Sequence, residues 1–392
     1  MIIALHILQS YGPANLNRGM DGAPKDTTFG QVPRGRISSQ CLKHLIRTSP
    51  RFARAVGTAI RAKRTRAFPA EVAAYLTAHA ARLDLDPEGI ALIANRAVEL
   101  GRESAKTTAK GEGAEGEGAE GEGAEGEGAE GEGAPPAPLA TKSAIFYSDE
   151  ELAAIAEGFA EVFAAFGAKK FGEVKMGVIT GRLFRQRRPP RSIDTALFGR
   201  MSTSAALDEY DSAVQVAHAI TTHRVDTEFD YYTAVDDMIG QAAFIGETPF
   251  NASTYYKLLN VDVRQLIENV AGDVGAATAA LVGFVETACL EHPTGHQTQF
   301  AHHAPPDLIL IEARPDDARN YVNAFQRPVR ANGHGLTEAS AAALGSYIGR
   351  LDTVYGPGCQ RRFVSTIADL DIPAAERLGS LADLLTWLRE VK

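Results

Sequence analysis

Residues 111–133 repeat Gly-Glu-Gly-Ala-Glu, with nine glutamates and no side chain between alanine and glutamate in size. Such a tract cannot bury enough apolar surface to offset the entropy of ordering it, and its like charges repel. It reads as an extended, disordered linker. The wider stretch 107–142 is therefore a break, an expansion inside a surface loop, and the core must come from the sequence on either side. That remainder is ample. The chain has 392 residues, of which 45% are hydrophobic, which suggests two or three domains. A charged fraction of 23% excludes a wholly disordered, collagen-like or coiled-coil protein. No apolar run reaches the roughly 18 residues of a membrane span. Met1–Leu8 is apolar but lacks the basic start and cleavage site of a signal peptide. Three scattered cysteines, Cys41, Cys289 and Cys359, are too few for a disulfide framework, so a cytoplasmic location is expected.

The net charge of −9 comes entirely from the glutamate tract; without it the chain is formally neutral. The remaining charge is unevenly placed. Between Arg18 and Arg66 stand twelve Lys/Arg against two acids, Asp21 and Asp26. Arg182, Arg185, Arg187, Arg188 and Arg191 form a second cluster without an acid. Local basic excess of this kind is the footprint of a polyanionic partner.

Residues 2–8 read as a buried strand. Gln9 to about Ile37, punctuated by glycine and proline, reads as one long loop, a length that usually marks function or mobility. A helix follows, with serine at its N-cap (Ser38/Ser39). Leu42, Leu45 and Ile46 form its buried stripe, and Gln40, Lys43 and Arg47 its polar-basic ridge. Ala53–Ser104 reads as helical, as do Ser148–Phe166, Asp208–Thr222 and the amphipathic Leu381–Val391. Glu228–Asp237 and Ala243–Phe250 read as a hairpin, with further strands at Tyr255–Asn260 and Leu308–Glu312. The class is α+β, with a helical insertion interrupting a domain whose strands come from both ends of the chain.

Nucleotide-hydrolase, zinc-peptidase, serine-hydrolase and dinucleotide motifs are absent. Cys289, His292, His296, His302 and His303 are zinc-type residues, but their spacing fits no standard site and Pro293, Gly295 and Pro305 mark a loop. The favoured reading is a polar loop, at the surface or near a phosphate backbone. His6, inside an apolar strand, reads as a hydrogen-bonded sheet residue rather than a general base, since a base needs a positioned partner. Asp21 and Asp26 fit a base or a metal ligand, although turn-forming aspartates are commoner. Ser38, Ser39, Gln40, Lys43 and Arg47 can donate to successive phosphates beside the helix N-terminus, with Arg18, Lys25, Arg34 and Arg36 closing over the strand. Tyr231, Tyr232, Thr233, Val235 and Phe244 on the hairpin suit base stacking or wedging, or packing on a core or a neighbouring subunit.

His6-Ile-Leu-Gln-Ser-Tyr-Gly-Pro-Ala-Asn-Leu-Asn-Arg18, Lys25-Asp26, Phe29-Gly30 and Arg34-Gly-Arg-Ile-Ser-Ser-Gln-Cys-Leu-Lys43 resemble the CasC-type backbone subunit of the type I-E CRISPR Cascade complex, of the RAMP superfamily. So do Asp194–Met201, Val214–His223, Asp230–Asp237 and Pro306-Asp-Leu-Ile-Leu. The resemblance covers most of the chain outside 55–145, and the Gly/Glu tract departs from it.

It implies an RRM-like (ferredoxin-like) palm formed by 1–54, 201–227 and 259–392. A helical fingers insertion covers 55–200, and a β-hairpin thumb covers 228–258. It also implies copies stacked head to tail on one CRISPR RNA, alongside a guide-processing endoribonuclease, a 5′-handle-capping subunit, and large and small subunits. Target DNA pairs with the guide; no cofactor, metal or membrane is implied. Ser38, Gln40, Lys43, Arg47, Arg18 and Lys25 match palm residues that hold the guide backbone. Met201 matches a fingers residue near the bases. Tyr232, Thr233 and Val235 match the thumb segment that displaces a base, and Phe244 extends that set. In related complexes a backbone subunit of this fold cuts target RNA through an acidic loop residue, which here would be Asp21 or Asp26. The principal expectation is a non-catalytic RNA-binding subunit.

Overall fold

The computed structural model describes residues 1–57, 62–101, 139–141, 144–186, 192–200, 209–235, 242–331, 333 and 335–391. For 101, 182–186, 234–235 and 242–245 it describes the backbone alone. The Gly/Glu tract 111–133, Met201, and Arg187, Arg188 and Arg191 lie outside the described residues, as do the side chains of Arg182, Arg185, Val235 and Phe244.

In chain order the elements begin with β1 (Ile2–Ala14), β2 (Asp26–Phe29), β3 (Val32–Ile37), α1 (Ser39–Thr48), α2 (Pro50–Val56), β4 (Lys63–Thr65), α3 (Phe68–Ala78), α4 (Ala80–Leu83) and α5 (Pro87–Ala97). Then come β5 (Ile145–Tyr147), α6 (Asp149–Phe171), α7 (Met176–Gln186), α8 (Ile193–Phe198), β6 (Val214–Val216), β7 (Ala219–Thr221), β8 (Glu228–Val235) and β9 (Ala242–Asp262). The last are α9 (Val263–Asn269), α10 (Val274–Leu290), α11 (Gln297–Phe300), β10 (Leu308–Arg314), α12 (Leu336–Tyr355), β11 (Gln360–Ser365), β12 (Ala375–Arg377) and α13 (Leu381–Glu390). The class is α+β, as expected. Among the described residues no helix is long and apolar enough to cross a membrane.

The chain divides into two compact units: Met1–Ile60 with Ile193–Gly199 and Asp211–Lys392, and Arg61–Ser192 with Arg200–Tyr210. The first is built on a ten-stranded sheet in the order β12-β11-β10-β1-β9-β7-β3-β2, with β6 and β8 also paired to β9. Among the described residues, only β11 and β12 pair in parallel. Strand β1 is central, and side chains alternate across it. Ile3, Leu5 and Ile7 join Leu259, Val261, Ile309 and Ile311 beneath α2, α10 and α13. Leu8, on the opposite face, joins Tyr256, Leu258, Leu308 and Leu310 beneath α12. Burial on both faces explains why residues 2–8, His6 apart, are apolar without alternation; each large apolar side chain contributes about 1.5–3 kcal/mol.

His6 shares the α12 face and is fully buried. Its Nδ1 bonds the Tyr256 hydroxyl at 2.8 Å, its ring stacks on Tyr321, and Nε2 lies 3.7 Å from Glu312. Burial would raise the Glu312 carboxyl, but His6 and Arg361 hold it well below the usual range. His6 is thus part of an internal polar network, as the strand context suggested.

Two segment readings in this unit are overturned. Gln9–Ile37 is not one loop: β1 continues to Ala14, and β2 and β3 form a hairpin. Its two-residue turn places Gly30 and Gln31 at φ 63° and 65°, the left-handed pair that matches strand twist. Asp208–Thr222 is not a helix. Its described part holds β6 and β7, both paired to β9. Pairing with the 21-residue β9, and for β7 with β3 as well, overrides the local preference of this alanine-containing segment.

The second unit packs α3, α5, α6 and α7 around Phe68, Val72, Ile93, Tyr147, Phe159 and Ile179. A short strand, β4, interrupts the helical run expected there and pairs with β5. Ser148 caps α6 in a reciprocal capping box with Glu151, and Glu151 also holds the buried Arg200 at 2.9 Å.

Candidate nucleic-acid interface

Helix α1 starts beside the β1–β2 loop. Ser38 caps it, its hydroxyl accepting from the Cys41 N–H at 3.3 Å, and its own N–H donates to Asn17 Oδ1 at 2.9 Å. Leu42 packs with Tyr11, Ile37, Ala219 and Tyr255, and Ile46 enters the main core. That anchoring leaves Gln40 exposed and Lys43 and Arg47 half-buried on the outer side, as the ridge predicted. Ser39 donates to Gln40 Oε1 at 3.3 Å. Ser38 itself is buried, its hydroxyl committed to the cap.

The preceding loop is held close to this helix. The Lys25 N–H donates to Asn17 O at 2.7 Å, and the Arg36 N–H to Lys25 O at 2.8 Å. Arg36 Nε donates to Asp26 O at 3.1 Å and Nη1 to His218 Nδ1 at 3.2 Å. Arg18 Nη1 donates to His296 Nε2 at 3.3 Å. Arg18, Lys25, Arg36 and Lys43 form no ion pair with any described residue. None of these four cations thus has an ion-pair partner among the described residues, and the first turn of α1 contains no acid.

Arg34 does not belong to this surface. It is fully buried: Nε donates to Phe29 O at 3.1 Å, Nη1 to Thr221 O at 3.0 Å and Nη2 to Phe325 O at 2.8 Å. Its role is to cross-link three segments: Arg34 and Arg36 share one face of β3, but Phe325 and Gln326 cover Arg34, whereas Arg36 stays half-buried beside Asp26 and His218. Asp21 and Asp26 are exposed, and Asp21 Oδ1 accepts from the Ala23 N–H at 3.1 Å, as turn aspartates do.

The hairpin of β8 and β9 pairs Tyr231 with Glu247, Tyr232 with Gly246, Thr233 with Ile245 and Ala234 with Phe244. Tyr231 is 69% exposed and Tyr232 42%; Phe229, not singled out from sequence, is 50% exposed. Thr233 is exposed too. The Tyr232 ring crosses its partner strand over Gly246, where a Cβ would lie 2.6 Å from Cζ.

The histidine segment packs against the same loop without converging on a metal. Cys289 sits in the core of α10, burial pushing its thiol up to about 12. His302 Nε2 bonds Pro293 O at 2.6 Å, and His296 bonds Arg18 and Gln299. His292 faces Gln9 at 3.2 Å, and burial, then Lys257, hold it down at about 4. Among the described residues no three His, Cys, Asp or Glu side chains group as metal ligands. Lys257 itself is buried against Gln9 and Tyr11, and desolvation lowers it to about 8.

Sequence reasoning missed Asn17 and His218. His218 precedes β7, whose pairing of Ala219 with Ile37 brings it beside Ser38. A segment read as helix could not reveal that register.

The fold aligns with a chain solved in a "CRISPR RNA-guided surveillance complex, pre-nicking" at a TM-score of 0.78 and 27% identity, covering 100% of this chain and 99% of that one. A chain of another "CRISPR RNA-guided surveillance complex" aligns at a TM-score of 0.70 and 24% identity, covering 100% and 99%. No curated protein matches. The CT1975-like protein family matches residues 3–387, nearly the whole length, and the chain belongs to that family.

Proposed function

We propose that this protein is a non-catalytic backbone subunit of a type I-E CRISPR Cascade complex, binding the guide RNA through its ribose-phosphate chain. The observation that carries the reading is the unpaired basic surface of Arg18, Lys25, Arg36 and Lys43 around the α1 N-terminus. Phosphate contacts fix register without reading sequence, which suits a subunit that must accept every guide. Gln40, Ser39 and Arg47 extend the track. Arg34 is excluded by its burial.

The exposed Tyr231 and Tyr232 fit a thumb that crosses the RNA and displaces a base at intervals, with Thr233, Val235 and Phe244 in the same hairpin and Met201 near the bases. Base edges left outward pair with target DNA, so specificity is delegated to the guide. Each thumb reaching the next copy makes the interface heterologous and the filament open, so other Cascade subunits must cap it. The likeness to a surveillance-complex chain at 27% identity supports membership of such an assembly.

The use of Asp21 Oδ1 in its own turn favours a structural role for Asp21 over RNA cleavage; for Asp26 a cleavage assay decides. Purifying the protein from its host and sequencing the bound RNA tests the proposal. Repeat-spacer transcripts are expected, and unrelated RNA or none contradicts it. Incubation of the assembled complex with complementary RNA and Mg²⁺ tests the catalytic rival, which predicts periodic cuts lost on Asp21→Ala or Asp26→Ala.

A further inference from the structure

We infer that His218, with Arg36 and Lys25, forms a phosphate subsite in which the histidine takes up a proton as the RNA backbone binds; this rests on the RNA-binding reading above. The geometry comes from three elements. The register of β3 with β7 sets His218 beside Ser38, at the mouth of α1. Arg36, on β3, reaches the ring with Nη1, 3.2 Å from Nδ1. Lys25 enters from the turn before β2, tied to Arg36 through its carbonyl.

A guanidinium has donors and no acceptor. Nδ1 must therefore accept from Arg36, and the neutral ring carries its proton on Nε2. His218 is exposed, and among the described residues Nε2 has no hydrogen-bond partner. The subsite thus presents an N–H donor flanked by an oriented guanidinium and an ammonium. The charged groups facing the ring are Arg36 and Lys25, both cations, and neither forms an ion pair with a described carboxylate. Burial, then Arg36 and Lys25, hold the imidazolium below its ordinary stability. A phosphate placed among the three reverses the sign of the local field and favours the imidazolium. The ring then turns from accepting the Arg36 hydrogen bond to donating from both nitrogens, releasing Arg36 to the phosphate.

The sign follows by linkage. RNA-bound His218 titrates higher than free His218, so affinity rises as pH falls through the bound value and levels off below the free one. The test is the affinity of a fluorescent oligouridylate, which has no titrating base in this range, measured from pH 8 to pH 5.5 at constant ionic strength. The wild type is expected to bind several-fold tighter at the acid end, with at most about tenfold per pH unit for one proton. His218→Gln keeps a neutral donor but cannot take up a proton; whatever its affinity at pH 8, it should lose the acid gain, its affinity staying flat from pH 8 to pH 5.5. His296→Gln should retain that gain. A pH-independent wild type, or an undiminished gain in His218→Gln, overturns this inference while leaving RNA binding intact. Absence of binding at every pH overturns the RNA-binding reading itself.

Discussion

Asn17 Oδ1 accepts the backbone N–H of Ser38 at 2.9 Å, and this one hydrogen bond joins the basic β1–β2 loop to the start of α1. The Asn17 carbonyl meanwhile holds the Lys25 N–H. One residue therefore sets the spacing between cations from the loop and those on the helix.

Asn17→Ala should cost about 1 kcal/mol of stability, the net worth of a hydrogen bond, and weaken RNA affinity more than that loss explains. Thermal melting and equilibrium binding on the same samples check it. An affinity unchanged within error would show that the loop is positioned by other means.

Lys43→Ala combined with Arg36→Ala should weaken binding equally for RNAs of unrelated sequence. The slope of log affinity against log salt should fall by about 0.7 per lost contact on a single strand. A loss confined to certain sequences would contradict backbone readout.

Gly246→Ala places a methyl group 2.6 Å from Tyr232 Cζ and must displace that ring. It should reproduce the effect of Tyr232→Ala: a folded protein with altered periodic nuclease protection along the guide. Matching wild-type footprints in both variants would remove the wedge role.

Arg34→Ala should act on stability. It strips donors from the carbonyls of Phe29, Thr221 and Phe325, at a cost of about 3 kcal/mol. Denaturant unfolding should show this, while protein that remains folded keeps its salt slope.

Lys257 gives a pH signature of opposite sign to a salt-bridged group. Burial lowers it from 10.5 to about 8, so the unfolded chain binds more protons between those values. Stability should therefore rise with pH above 8, by about 2 kcal/mol up to pH 9.5. Lys257→Met should be more stable at neutral pH and lack that rise. Urea titrations across the range check it, and parallel curves for the two proteins would refute the assignment.

Much of this architecture was legible where one signal dominated. Serine before Leu42 and Ile46 marked α1 to the residue, and the helical reading of Ser148–Phe166 met most of α6. The apolar run 2–8 marked the first half of β1, and the aromatic run marked β8. The illegible parts depended on distant pairing. Nothing local in Val214–Thr221 says that two three-residue strands will add to β9, or that His218 will meet Arg36. Arg34 and Arg36 look alike in a basic run and share one face of β3, yet Thr221 and Phe325 enclose Arg34 while Arg36 stays half-buried beside His218. Charge counts cannot make that distinction until the distant segments that cover each side chain are known.

The most direct test is native mass spectrometry of the protein, with its capping partners present, on single-stranded guide RNAs of graded spacer length and unrelated sequence at low ionic strength. The account predicts that copies are added in steps set by length and indifferent to sequence. One copy regardless of length, or none, would contradict it.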